Sequence, residues 1–198
     1  MLGGLAAQLE RRVDALHAEM VPLMGGGTLN AVERRQAEHI TFQLQNAWEM
    51  YVRNFILLSA TGRASGLAGP VPASVPSAYR NREAVSHYLL QVTGWRFEPK
   101  WYRPVDAINA ARRLNIANIA NVAAAIGSTP WPLENLRLTR NFFAHRSRGS
   151  ALELRALNWF SPSEVIEVET TIFPFDAGGV RRFDAWCAAM KAVGRAML

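Results

Sequence analysis

The sequence predicts an all-α protein, a helical bundle of roughly five to seven helices. Apolar residues recur at three- and four-residue spacing over most of the chain, as they do on the buried faces of helices. Breaks that contain glycine and proline separate these segments. The apolar fraction of 49% and the charged fraction of 19% are those of an ordinary globular protein. A chain of 198 residues can bury a substantial core, so we expect one helical domain over residues 1–198.

Two helices and a loop account for the first part of the chain. Residues 4–20 form an amphipathic pattern that ends at the three glycines of 25–27. Thr28 or Asn30 can cap the next helix, which extends to about residue 59 and is the longest helical pattern. About 30 helical residues span about 45 Å, a length that suits one spine of a bundle. Residues 62–78 are rich in Gly, Pro, Ser and Ala and predict an exposed loop.

The elements after the loop are shorter. Helical patterns cover residues 82–92, residues 105–126 in two pieces joined near Leu114 and Asn115, residues 133–146, and residues 180–197. Ser128 or Thr129 is the predicted cap of the helix over 133–146, with proline in its first turn. Residues 165–173 alternate apolar with polar side chains, which predicts a strand, and residues 152–159 offer it a partner in a small β-hairpin near the C-terminus. We expect the part of the chain from about residue 150 to be an addition to the core helical bundle.

Composition and charge restrict the class of protein. The formal net charge of +6 favours a polyanionic partner such as nucleic acid. Arginine carries that charge, since Lys100 and Lys191 are the only lysines, and a GC-rich genome is an alternative source of this bias. The single cysteine, Cys187, excludes a disulfide framework and a cysteine metal cluster. Charges come too early for a secretory signal, and no apolar run approaches the roughly 20 residues that span a bilayer. We expect a cytoplasmic protein without membrane, metal or cofactor.

One short segment, RNFFAH from Arg140 to His145, is the candidate for chemistry. Every histidine of the chain follows an arginine by five positions, so the spacing by itself carries little information in a sequence with 22 basic residues. The other pairs are Arg12 with His17, Arg34 with His39, and Arg82 with His87. We expect roles in helix packing or on the surface for these, and a solvated, charged helix start around Arg34 and His39. Whether Arg140 and His145 form a functional pair therefore depends on the residues around them.

Helix geometry sets a condition on this segment. Each helical residue turns by about 100°, so Asn141 and His145 share a face while Arg140 points about 140° away from His145. Convergence requires that the helix end or tighten near His145, or that a second chain complete the site. The helix is apolar on two sides, which favours burial against its own bundle and against a partner subunit across a two-fold axis. One side carries Leu133, Leu136 and Phe143, and the other carries Leu138 and Phe142.

The segment LTRNFFAHRSRG resembles the signature of HEPN proteins, which are all-helical domains. That signature is an arginine, a polar residue, three mostly apolar residues and a histidine, here Arg140, Asn141, residues 142–144 and His145. The long early helix with AWEMYVRNFI and the aromatic connection WRFEPKWYRP are similar to the bacterial branch with stand-alone RiboL-PSP-type domains. The resemblance is sharp over about ten residues and loose elsewhere, and it does not extend past about Leu152.

The resemblance implies a metal-independent endoribonuclease, commonly a homodimer with both motifs in one cleft. His145 would exchange a proton with the RNA 2′-hydroxyl or the leaving oxygen, Arg140 would bind the scissile phosphate, and Asn141 would orient the imidazole or the phosphate. It also implies a bacterial toxin or antiviral effector, with a cognate antitoxin or operon partner. The alternatives are a non-catalytic HEPN module that binds RNA or a protein, and a helical interaction protein unrelated to HEPN.

Other residues are weaker candidates. Arg146 and Arg148 follow the motif and are candidate RNA contacts. Trp101 and Tyr102, together with Trp95, can stack on RNA bases, although aromatic residues beside prolines commonly serve as hydrophobic plugs. Glu49 on the long helix is a candidate supporting contact to the active site, and an ion pair with Arg53 one turn later is its alternative role.

Overall fold

The structure is a computed structural model that describes residues 1–25, 27–67, 69–128, 131–161, 163–176 and 178–198. Within these ranges the protein is mostly helical, which confirms the predicted all-α class. The nine helices are α1 Leu2–Met24, α2 Ala31–Ala60, α3 Arg82–Thr93, α4 Pro104–Arg113, α5 Ile119–Ile126, α6 Glu134–His145, α7 Arg148–Arg155, α8 Val168–Ile172 and α9 Arg182–Ala196. The described helices outnumber the predicted five to seven because α7 and α8 occupy the part where a β-hairpin was expected.

The long helices follow the apolar periodicity and its start signals. Helix α2 begins after Asn30, whose side-chain Oδ1 accepts hydrogen bonds from the N–H groups of Val32 (2.9 Å) and Glu33 (3.1 Å). The Glu33 carboxylate accepts the N–H of Asn30 in return, at 2.8 Å. This reciprocal cap confirms Asn30 as the start signal. The predicted break near Leu114 and Asn115 is also confirmed, since α4 ends there and Asn115 adopts a positive φ of 51°.

The predicted C-terminal β-hairpin is wrong. Residues 152–159 overlap α7, and residues 165–173 contain α8. Ser147 and Ser150 form a reciprocal cap at the start of α7, and at the start of α8 the Glu167 N–H donates to the Thr170 hydroxyl at 3.0 Å. These caps bond the first N–H groups locally and so favour a helical turn over a strand. The alternation that predicted a strand is therefore produced by a five-residue helix that buries Val168, Thr171 and Ile172.

The described hairpin lies in the segment predicted as a loop. Strands β1 (Ala64–Gly66) and β2 (Gly69–Val71) pair antiparallel, with Ala64 opposite Val71. The chain leaves α2 through Gly62, whose φ is 72°. A Cβ at Gly62 would lie 2.6 Å from the Cβ of Ala73, so this turn requires glycine for two reasons. The predicted cap Ser128 is wrong, because Leu133 is the residue before α6, and Thr129 and Pro130 lie outside the described residues.

The chain divides into two compact units. The first unit contains Met1–Glu10, Ala47–Trp131 and Lys191–Leu198, and the second contains Arg11–Asn46 and Pro132–Met190. In the first unit the buried Tyr51 hydroxyl donates to the carbonyl of Gly194 at 2.6 Å. In the second unit the Arg34 guanidinium bonds the Glu169 carboxylate at 2.9 Å, and α6 belongs entirely to this unit. None of the described helices combines the length and the hydropathy that a membrane crossing requires.

Candidate active site

Helix α6 carries the predicted motif and ends at its last residue. Arg146 follows His145 in the left-handed conformation (φ 42°, ψ 34°), and its N–H donates to the carbonyl of Phe142 at 2.7 Å. Ser147 then caps α7, which starts at Arg148. The predicted extent of residues 133–146 is thus close to the observed Glu134–His145. The turn from α6 to α7 leaves His145, Arg146 and Arg148 exposed.

Arg140 is half-buried, and its Nε is buried without a hydrogen-bond partner. Its Nη1 makes a long hydrogen bond of 3.4 Å to the Asn141 side-chain oxygen, and its Cζ lies 5.9 Å from the centroid of the Phe42 ring. Throughout the described ranges no carboxylate forms an ion pair with it. A guanidinium taken partly out of water without a counter-charge costs free energy, which a bound anion would offset. Arg140 therefore has the environment of an anion-binding group.

Helix geometry directs the side chains of His145 and Arg140 away from each other within one chain. The bond from Arg146 N to Phe142 O has α-helical spacing, so the helix keeps its ordinary geometry up to His145. The two side chains consequently leave the axis about 140° apart. The predicted end of the helix near His145 is observed, and among the described residues no hydrogen bond joins the Arg140 and His145 side chains. Asn141 accepts the hydrogen bond from Arg140 and lies one helical turn before His145, on the same face as His145.

Both apolar sides of α6 are buried inside the single chain. The buried residues are Leu133, Leu136 and Phe143 on one side and Leu138 and Phe142 on the other. The predicted two-sided burial is confirmed, with exposed fractions of at most 8%. Since this chain covers both sides by itself, the apolar pattern does not call for a partner subunit. A homodimer with the motif at its interface stays a prediction.

Helix α2 supplies two contacts to the motif region that the sequence reasoning missed. Glu38 forms an ion pair with Arg146, and Phe42 is the ring nearest the Arg140 guanidinium. Both belong to the second unit, and they lie four positions apart on one face of α2. That spacing is visible in the sequence, but nothing in it indicates that this face meets a helix about 100 residues later.

The other arginine–histidine pairs have different surroundings. His17 bonds Asp184 at 2.9 Å, and Arg12 donates to Gln43 at 3.3 Å. Arg34 forms ion pairs with both Glu169 and Glu167 while its side chain stays 36% exposed, so these contacts lie on a partly solvated face. His39, Arg82 and His87 are exposed, as predicted. Three of the four pairs thus have the structural or surface roles that the sequence predicted.

Trp101, Tyr102 and Glu49 lie in the first unit, whereas Arg146 and Arg148 belong to the second unit, which contains the motif. Trp101 is only 7% exposed, and its Nε1 donates to Glu98 at 2.8 Å, which favours the hydrophobic-plug role over base stacking. Tyr102 is half-buried, with the Arg103 guanidinium carbon 5.9 Å from its ring centroid. Glu49 is half-buried on α2. Arg53, its expected partner, donates to Glu98 and Glu83.

Comparison with known proteins adds no relative. No family model matches the chain, and neither a curated protein nor a solved structure is significantly similar to it. In the part of the chain that the structure describes, no group of three or more His, Cys, Asp or Glu side chains is arranged to hold a metal ion. The function is therefore inferred from the geometry of α6 and its surroundings.

Proposed function

We propose that this protein is a metal-independent endoribonuclease of HEPN type that uses Arg140, Asn141 and His145. The observation that carries the proposal is the half-buried Arg140 guanidinium, which has an unpartnered Nε and no carboxylate partner among the described residues. It lies on the helix that ends in the exposed His145. Arginine offers a fixed fork of donors to a phosphate, and RNA is a polyanion that suits a chain of net charge +6.

The reaction follows from these residue types. The 2′-oxygen of RNA bonds to the adjacent phosphorus, and the bond from phosphorus to the 5′-oxygen breaks. A neutral imidazole takes the proton from the 2′-hydroxyl, or a protonated one gives a proton to the leaving 5′-oxygen. Arg140 donates to the phosphate oxygens on which charge develops, and Asn141 holds the phosphate or the imidazole. The products are a 2′,3′-cyclic phosphate and a 5′-hydroxyl, and DNA is not cut because it lacks the 2′-hydroxyl.

The divergence of Arg140 and His145 makes a second copy of the chain part of this proposal. Two α6 helices across a two-fold axis bring Arg140 of one subunit toward the histidine of the other. The cellular role that goes with such an activity is a bacterial toxin or antiviral effector in the cytoplasm, held in check by an antitoxin or another operon partner.

The test is incubation of purified protein with total bacterial RNA in EDTA, followed by analysis of the product ends. We expect wild type to cut RNA and leave 2′,3′-cyclic phosphate, and Arg140→Ala and His145→Ala to lose at least about a hundredfold in rate. Arg82→Ala and His87→Ala are matched controls, because this exposed pair has the same spacing on α3. Equal cutting by wild type and His145→Ala, or loss of cutting with added EDTA, would refute the proposal.

A non-catalytic module is the second candidate. The exposed His145 and its divergence from Arg140 favour it, since one chain then keeps an anion-binding arginine without a positioned proton donor. This candidate predicts RNA or protein binding that depends on Arg140, without cleavage and without any effect of His145→Ala. Mobility-shift measurements with the same variants separate the two functions.

A further inference from the structure

A second polar site lies in the second unit, apart from the motif. It is a cavity of about 410 Å³, within the range of small-ligand sites of roughly 300–1,000 Å³. Its walls come from the start of α6, the segment after α7, the turn before α9, and α9 itself. The lining residues that matter here are Asn135, Asn158, Trp159, Asp176, Arg182 and Trp186. The cavity contains neither Arg140 nor His145.

An aromatic wall is held rigidly on one side of this cavity. The Arg182 guanidinium carbon lies 4.0 Å from the centroid of the half-buried Trp159 ring, which is a close cation–π stack. Arg182 Nη1 also donates to the carbonyls of Thr170 (3.0 Å) and Thr171 (3.1 Å). Trp186 lies with its ring centroid 6.4 Å from that of Trp159. These contacts fix two tryptophans at the cavity before any ligand arrives.

Hydrogen bonds hold one polar group of the cavity, Asp176, in place. Asp176 accepts hydrogen bonds at Oδ1 from the N–H groups of Gly178 (2.8 Å) and Val180 (3.0 Å), so its carboxylate is fixed in the turn. Asn158 has a φ of 57°, a conformation that asparagine adopts more readily than most residues. Asn135 lies in the first turn of α6. The cavity thus combines aromatic surfaces with two amides, the Asp176 carboxylate and the Arg182 guanidinium.

We propose that this cavity binds a single nucleobase, one that carries an exocyclic amino group. A base has a flat π-face that packs against the half-buried Trp159 or against the guanidinium plane of Arg182 stacked on it. It also has an edge of donors and acceptors that matches amide side chains. The Asp176 carboxylate is suited to accept a hydrogen bond from an exocyclic amino group, as carboxylates accept from the amino group of cytosine. The base belongs either to a nucleic-acid strand or to a free mononucleotide, which present the same chemistry. The inference does not depend on cleavage at His145.

The test uses the full-length protein and ligands that the proposed nuclease chemistry cannot cut. Binding of cytidine monophosphate, uridine monophosphate, ribose 5-phosphate and a single-stranded oligodeoxycytidine is measured by calorimetry and tryptophan fluorescence. We expect cytidine monophosphate to bind about tenfold or more tightly than uridine monophosphate, which lacks the exocyclic amino group, and ribose 5-phosphate not to bind. If the oligodeoxycytidine binds much more tightly than cytidine monophosphate, the natural ligand is a nucleic-acid strand. If the two bind with equal affinity, the natural ligand is a free nucleotide. Both results support base binding in the cavity.

The variants isolate the cavity from the fold. Asn158→Gly removes the amide at a backbone conformation that glycine tolerates, and Asn115→Gly makes the same change at another asparagine of positive φ, outside the cavity. Asp176→Asn keeps an oxygen for the two N–H groups of the turn and removes the charge. We expect Asn158→Gly and Asp176→Asn to weaken cytidine monophosphate about tenfold and Asn115→Gly to have no effect. Absence of binding by both cytidine monophosphate and the oligonucleotide, or wild-type affinity in both cavity variants, would overturn the proposal. If the protein does not cleave RNA but still binds cytidine monophosphate, the nuclease proposal fails and the proposal for the cavity stands.

Discussion

Replacement of Glu98 by glutamine should destabilise the first unit. The Glu98 carboxylate accepts two hydrogen bonds from Arg53, from Nε and Nη2, at 2.7 Å each. It also accepts the Trp101 Nε1–H at 2.8 Å and the Ser86 hydroxyl. Arg53, the strongest of these partners, lowers the pKa of Glu98 from its usual 4.5 to about 2. Glutamine has nearly the same size but carries no charge and offers one acceptor oxygen.

The magnitude follows from that pKa. A tenfold change in proton affinity is worth about 1.4 kcal/mol, so a fall from 4.5 to about 2 corresponds to about 3 kcal/mol. The Glu98 side chain is 29% exposed and the Arg53 side chain 16% exposed, and solvent screening reduces the expected loss to about 2 kcal/mol. Because the folded-state pKa is depressed, this contribution is fully present above the unfolded pKa of 4.5. It is lost progressively as the pH falls from 4.5 through about 2.

The measurement is urea unfolding of wild type and Glu98→Gln at several pH values between 7 and 2. We expect a difference of about 2 kcal/mol at pH 7 that shrinks on acidification toward pH 2. Glu83→Gln is the matched control: Glu83 also contacts Arg53, at 3.3 Å, but its side chain is 74% exposed, so its loss should stay below about 0.5 kcal/mol. Equal losses in the two variants, or a Glu98 difference independent of pH, would contradict the reasoning.

Two further changes test the backbone and a buried hydroxyl of the same unit. Gly62→Ala should cost about 3 kcal/mol, because its φ is 72° and its new Cβ would lie 2.6 Å from that of Ala73. Gly94→Ala, with a φ of 69° and open space, should cost only about 1 kcal/mol, and identical urea midpoints for the two would show that the steric argument is mistaken. Tyr51→Phe should cost about 1 kcal/mol, since it removes the 2.6 Å bond to the Gly194 carbonyl; an unchanged free energy of unfolding would mean that this bond contributes nothing.

The helices that sequence reasoning found are those with long periodic patterns and local start signals. Asn30 caps α2 through its own neighbours in sequence, so the signal and the structure it causes lie within three residues. The strand predicted over residues 165–173 is wrong because this run is too short for its periodicity to decide between strand and helix. A short alternating run buries the same positions as one turn of helix, and the cap of Glu167 with Thr170 decides between the two.

The site was predicted only as far as a single helix determines it. The divergence of Arg140 and His145 follows from helix geometry, and α6 keeps that geometry to its end. The environment of Arg140 depends on Phe42, about 100 residues earlier in the chain. The cavity around Trp159 and Arg182 joins segments from α6 to α9, and no spacing in the sequence marks them as neighbours.

The four arginine–histidine pairs show how distant contacts give one spacing different roles. His17 is paired with Asp184, 167 positions away, and Arg34 with Glu169, 135 positions away. A paired cation has its charge offset inside the protein and gains little from a ligand. Arg140 has burial similar to that of Arg34 but receives no carboxylate from the described residues, so no acidic side chain among them offsets its partial desolvation. The same five-residue spacing thus gives His17 and Arg34 acidic partners within the protein, whereas Arg140 has no carboxylate partner among the described residues.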